Sequence, residues 1–185
     1  DDEKTIIEKY LSDGGKVYLI LGDTTSDTPN LDGIMSDYGL KKVSGYIADT
    51  QRCYQGNYYA IFPQLSLSGD LGSGISNQMV LLLNSFGMGK TDTDNDNLTV
   101  TPFMQTSDSG YAVTENDQTQ GQYILGAVST NAISADSSDS DSEDEDDESD
   151  ATDTDTKTAR LTVLASASMI SSDITDQLTT LDNLT

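Results

Sequence analysis

The chain has 185 residues, room for one domain of ordinary size around a single core and too few for two full domains. Its formal charge is −23, from 32 acidic against 9 basic residues, so its field repels phosphate backbones and anionic headgroups and argues against nucleic acid or an anionic membrane surface as partner. With no histidine and one cysteine, it lacks Ser-His-Asp and Cys-His nucleophile pairs, His-based or Cys-cluster metal sites, and any intrachain disulfide.

Asp2 to Ser12 sets Ile6, Ile7, Tyr10 and Leu11 at helical spacing and places acids in the first turn, where they complement the helix dipole. Gly14 and Gly15 end that helix. Val17 to Leu21 is a continuous apolar run bounded by Gly22 and Asp23, the pattern of a strand buried on both faces of a parallel sheet. Asn30 stands where it can cap a second helix carrying Leu31, Ile34, Met35 and Tyr38, with Gly39 where a left-handed residue is needed. Val43 to Ile47 reads as the next strand. Helix, strand, helix, strand at this spacing predicts a layered α/β fold with crossover connections.

From Gln51 to Gly74 the texture changes to Tyr, Gln, Asn, Ser and Gly, which predicts irregular surface structure with one edge strand over Tyr58 to Phe62. Tyr54, Tyr58 and Tyr59 form the candidate partner-binding surface, because tyrosine joins apolar area to a polar tip; packing on an edge strand is the plainer account of the same residues. Gln78 to Leu83 reads as a buried strand and Leu98 to Phe103 as an alternating one with Pro102 near its end, with a turn at Asp92 to Asn97 between them. Tyr123 to Val128 and Arg160 to Ala165 are two further strands.

Between those two strands, Ser134 to Thr156 holds 12 acids and no basic residue, leaving a net of −11 for the rest of the chain. Such a stretch has no apolar surface to offset the entropy of ordering and repels itself, so it is expected to be a disordered acidic insert (134–156) within a single domain spanning 1–185. Loop closure costs grow slowly with length, which makes a hairpin loop its natural place. Ile174, Leu178 and Leu181 predict a last helix capped by Ser172 or Asp173. The chain starts and stops within charged or polar helical sequence, and is expected to be a fragment of a longer membrane protein.

Three motifs approach chemistry without reaching it. Asn84 to Thr91 ends in Gly89-Lys90-Thr91 after a strand, but Asn84 replaces the first glycine of a phosphate-binding loop and an Asp/Asn run replaces the helix that should follow. Asp92, Asp94 and Asp96 alternate like the start of a calcium loop, yet the required Gly and late Glu are missing, so an exposed acidic turn is expected. Cys53 follows Arg52, which favours a thiolate, but no base or resolving cysteine accompanies it. No catalytic, cofactor-binding or metal-binding residue is assigned.

Taken together, Glu8 to Asp23 with its helix, Gly14-Gly15 and strand, the Pro29-Asn30-Leu31 helix ending at Leu40, Thr101-Pro102 to Ser109, and Lys157 to Ser166 resemble the extracytoplasmic domain of the GldG-like family, auxiliary proteins of ABC-type transport systems associated with gliding motility. The resemblance implies a Rossmann-like layered α/β sheet, akin to glutamine-amidotransferase-like folds without their catalytic residues, with the family's N-terminal strand expected to be missing here. It further implies a membrane-anchored parent chain, a place on the extracytoplasmic face of the bacterial cell membrane, and ABC transporter permease and ATPase subunits or an exported substrate as partners. It carries over no catalytic residue and no cofactor. The rival expectation is a carbohydrate- or small-molecule-binding domain, or an enzyme, working through loop carboxylates.

Overall fold

The computed structural model describes residues 2–22, 27–67, 79–133 and 157–171; the acidic stretch 134–156 and the expected last helix lie outside them. In chain order the elements are helix α1 (Asp2–Ser12), strand β1 (Lys16–Ile20), helix α2 (Pro29–Asp37), β2 (Leu40–Val43), β3 (Tyr46–Asp49), β4 (Cys53–Tyr54), β5 (Asn57–Ile61) and β6 (Gln64–Leu65). There follow β7 (Leu82–Leu83), β8 (Gly87–Lys90), β9 (Leu98–Gln105), β10 (Gly110–Val113), β11 (Gln118–Gln120), β12 (Ile124–Ile133), β13 (Lys157–Leu164) and a single 3-10 turn at Ala167–Ile170.

The main sheet has seven strands with β12 as its spine. β13 and β9 flank β12, β1 lies outside β13, β6 lies outside β9, and β8 meets β12 at Ile124 and carries β2. Two three-stranded sheets complete the structure, one in the order β11-β10-β3 and the other β4-β5-β7. One buried cluster joins α1 and α2 (Leu11, Ile34, Met35) to the main sheet through Ala127, Leu161 and Val163. A second joins the main sheet (Met104, Leu125, Leu164) to the small sheets through Ile47, Ile61, Leu82 and Ala112. In β13 the adjacent Val163 and Leu164 serve the first and second cluster respectively, as the two-residue period of a strand requires.

This architecture overturns the Rossmann-like α/β expectation. Thirteen strands in three sheets accompany two α-helices among the described residues, and every pairing is antiparallel except β1 with β13. The fold is therefore mostly β, not a parallel sheet sheathed in crossover helices. The physical source of the misreading lies in two apolar runs. Val43 to Ile47 is not one strand: it splits at Ser44-Gly45, so that β2 pairs with β8 in the main sheet while β3 pairs with β10 in a small one. Gly45 sits at φ +86°, where a Cβ would stand 2.1 Å from the Val113 carbonyl oxygen, and no other residue fits that corner. Of the expected strand Gln78 to Leu83, Gln78 lies outside the described residues, and of Met79 to Leu83 only Leu82–Leu83 is strand, in a small sheet.

Other expectations meet mixed outcomes. α1 and β1 form where the sequence places them, but Ile6 is 67% exposed and Tyr10 53%, so only part of the α1 stripe is buried, and β1 is an edge strand among the described strands with Tyr18 exposed, not one buried on both faces. The cap of α2 is Thr28, not Asn30: Pro29 takes the first turn, where its missing N–H costs nothing. Gly39 does take the left-handed conformation, at φ +72°. Next to it, the Ser129 hydroxyl donates to the Tyr38 carbonyl oxygen (2.7 Å), fastening the end of α2 to β12. Tyr58 to Phe62 is not an edge strand, because β5 is the centre of its sheet. Pro102 sits within β9 opposite Ala127, beside the register shift between Gly126 and Ala127, the kind of irregularity where a strand tolerates proline. The strands on either side of the acidic stretch pair antiparallel up to Ile133 opposite Lys157.

Candidate functional site

The tyrosine-rich segment owes its shape to a two-residue hairpin. Gln55 and Gly56, at φ +50° and +79°, have the positive dihedrals of a type I′ turn and bring Tyr54 opposite Asn57. The Asn57 side chain accepts from the Tyr59 N–H (3.1 Å) and fixes the start of β5. From there the strand period separates the tyrosines. Tyr54 packs with Ala60 and Leu81, its ring edge-on to Phe62 at 6.0 Å between centroids. Tyr58 is 50% exposed, and Tyr59, its neighbour in the strand, leaves the opposite face. The three candidate residues do not form one patch: Tyr54 is a packing residue, Tyr58 is free at the surface, and Tyr59 lines a cleft.

That cleft, of about 450 Å³, is bounded by Gly45, Tyr46, Tyr59, Val113, Thr114 and Glu115, and so brings together β5, the start of β3 and the end of β10. Each wall is held from behind. Tyr46 stacks on Phe86 at 5.2 Å, and the Lys42 ammonium lies 4.1 Å from the centroid of the same Phe86 ring. The turn after β10 is closed by the Thr114 hydroxyl, which accepts from the N–H groups of Asn116 (3.4 Å) and Asp117 (3.0 Å), while the Thr114 N–H donates to the Asp117 carbonyl (2.9 Å). Glu115 is thereby carried on a fixed turn.

A second cleft, also about 450 Å³, is lined by Gln51, Arg52, Cys53, Phe62, Pro63, Leu65, Met79 and Val80. Arg52 is turned to structural use there: Nε donates to the Phe62 carbonyl (2.7 Å) and Nη2 to that of Pro63 (3.3 Å). A third, of about 270 Å³, lies at the carboxyl ends of β1 and β13, among Leu21, Leu83, Asn84, Ser166, Ala167, Ser168 and Ser171. Two of its serines are engaged, with Ser166 Oγ donating to the Leu83 carbonyl (2.9 Å) and Ser168 Oγ accepting from the Leu83 N–H (2.9 Å).

Sequence reasoning missed Asp49, the one fully buried acid among the described residues. It ends β3 and accepts from the backbone N–H of Gln51 (2.9 Å), Arg52 (2.9 Å) and Ser107 (2.7 Å) and from the Ser107 hydroxyl (2.8 Å). Burial by itself would raise its pKa, but these four donors together outweigh it and hold the carboxyl below the usual range. The clue available in the sequence was Asp49-Thr50 directly after an apolar strand, the setting in which a carboxylate receives the next N–H groups of a turn. The pair of converging buried acids that an enzyme of the loop-carboxylate kind needs does not occur among the described residues.

The other motifs resolve plainly. Gly87 to Lys90 is strand β8, with no helix after it, and Lys90 Nζ donates to the Val100 carbonyl (2.9 Å). Asp92, Asp94 and Asp96 are exposed, and their turn is organised by Thr93 and Asn95, whose side chains accept from the N–H groups of Asn95 and Asn97. No group of three metal-ligating side chains comes together among the described residues. Cys53 is half-buried in the second cleft.

No family model and no curated protein matches the chain. Among solved structures it is similar to an mmIFT52 N-terminal domain, at 13% sequence identity and a TM-score of 0.54. The match covers 98% of this chain and 65% of that one, so this chain spans just under two thirds of its structural neighbour. At that identity the likeness is one of fold.

Proposed function

We propose that the chain is a non-catalytic binding domain that contacts a protein partner, and that it serves as an extracytoplasmic accessory domain of an ABC-type transport system. The observation carrying the first half is the use made of polar chemistry: Asp49 and Arg52 are spent on tying loops together, while aromatic side chains (Tyr46, Tyr58, Tyr59) stand at the surface on fixed supports. Rigid, half-exposed tyrosines are the side chains that recognition surfaces favour, because little rotamer entropy is lost when they are covered. The transport role, and permease and ATPase subunits or an exported substrate as partners, rest on the resemblance to the GldG-like family. No described helix is long and apolar enough to cross a membrane.

The test is affinity isolation of the full-length protein from its native membrane. Permease and ATPase subunits are expected to co-elute, and Tyr58→Ala with Tyr59→Ala to lower their recovery about fivefold or more. Isolation without any transport subunit would overturn the transport role. Turnover of a substrate by the purified domain, at a rate abolished by one side-chain substitution, would overturn the non-catalytic reading.

A further inference from the structure

The cleft between Tyr46, Tyr59 and Glu115 has a chemistry that narrows what it can hold. Two tyrosines and Val113 line it, with Gly45 and Thr114, and the one charged residue among the described lining residues is Glu115. Among the described residues no basic side chain lines it, and the whole chain carries a formal charge of −23. An anion entering here would meet repulsion from the local carboxylate and the overall field, while a cation is drawn in by that field and then by the local acid. A bare metal ion would find a single carboxylate where several oxygen ligands are needed.

The tyrosines sharpen this further. Aromatic faces attract organic cations, and the guanidinium group also stacks flat on a ring while its edge offers paired donors to a carboxylate. The same corner of the molecule already uses this chemistry internally, with the Lys42 ammonium 4.1 Å from the Phe86 centroid and Tyr46 stacked on that ring. Lys42 is thus engaged beside the cleft and does not fill it. Because Tyr46 is stacked and Glu115 sits on a turn closed by Thr114, little ordering is needed on binding.

We infer that this cleft docks an arginine side chain presented by a partner protein, its guanidinium against Tyr46 and Tyr59 and its donors on Glu115. The inference deepens the proposed binding role by naming the partner's chemistry, and rests on that reading only for the partner being a protein.

The test uses the whole chain and three uncharged-flank peptides, Gly-Ser-Arg-Ser-Gly with Lys and Ala versions, titrated by NMR. The Arg peptide is expected to shift amides at Gly45, Tyr46, Tyr59 and Thr114, with Lys weaker and Ala silent. Tyr59→Ala and Glu115→Gln are each expected to weaken the Arg peptide about fivefold or more. Glu115→Gln leaves the fold intact, since its side chain is exposed, and so separates lost binding from unfolding. Shifts confined to 134–156, equal responses to Arg and Ala peptides, or undiminished binding by Glu115→Gln would each overturn the inference. So would a neutral oligosaccharide that shifts the same four residues. Failure of the membrane isolation with success here would remove the transport role and leave the cleft assignment standing.

Discussion

The helical face of the main sheet and the face covered by the two small sheets are fixed by different means. On the helical side, α1 and α2 lay Leu11, Ile34 and Met35 on Ala127, Leu161 and Val163, and apolar contact predominates. On the other side the apolar cluster is smaller, and short strands of two to five residues are tied by polar side chains: Asp49 to Ser107, Arg52 to Phe62 and Pro63, Ser166 and Ser168 to Leu83. Short strands bury too little surface to hold themselves, so specific hydrogen bonds take over the placing of loops.

Substitutions can break each side separately. The largest effect is expected from Leu161→Ala, which removes a fully buried side chain between helices and sheet and should cost about 3–4 kcal/mol in denaturant unfolding. Asp49→Ala should cost about 3 kcal/mol by leaving buried donors unpartnered, and hydrogen exchange should rise first at Gln51, Arg52 and Ser107. If exchange rose equally around α2, the two sides would not be held independently. Gly45→Ala forces a side chain into a left-handed corner against Val113 and should lower stability by about 2 kcal/mol, loosening Tyr46 and Val113 together. Tyr58→Ala, at an exposed site, should change stability by less than about 0.5 kcal/mol.

Acid sharpens the same contrast. Because the folded Asp49 carboxyl titrates below its unfolded value, its contribution is complete above the ordinary carboxylate pKa of about 4 and is lost as pH falls through the lower folded value. Asp49→Asn should remove that part of the acid sensitivity, seen as a flatter melting temperature below about pH 4, whereas Leu161→Ala should lower the whole curve without changing its slope.

The same division explains what could be read from the residues alone. α1, β1, α2 and the β12–β13 pair are long enough for period 3.6 or 2 to repeat, and they form close to where the pattern places them. The layered α/β reading failed because an apolar run does not state which sheet it joins: the break at Gly45 sends two halves of one run into two sheets. β4, β6 and β7, at two residues each, are too short to show any period. Within the candidate site, Tyr59 was identifiable by composition, but Tyr46, Val113 and Glu115 meet it only through the β3–β10 pairing and the packing of the two small sheets, and Val113 and Glu115 do so across more than fifty residues of chain, which no local pattern encodes. Asp49 was hidden among many acids, because its importance comes from donors brought by a loop at Ser107.

The pairing of β1 with β13 sets an order of events for a chain made from its N-terminus. Among the described strands β13 is the one neighbour of β1, matched over Lys16 to Ile20 with Arg160 to Leu164. Strand β1 therefore has no strand to pair with until β13 has been synthesised, although α1 can already meet α2. Until then β1 leaves Val17 and Leu19 without the neighbour that covers them, a surface that a chaperone would meet before the folded domain exists.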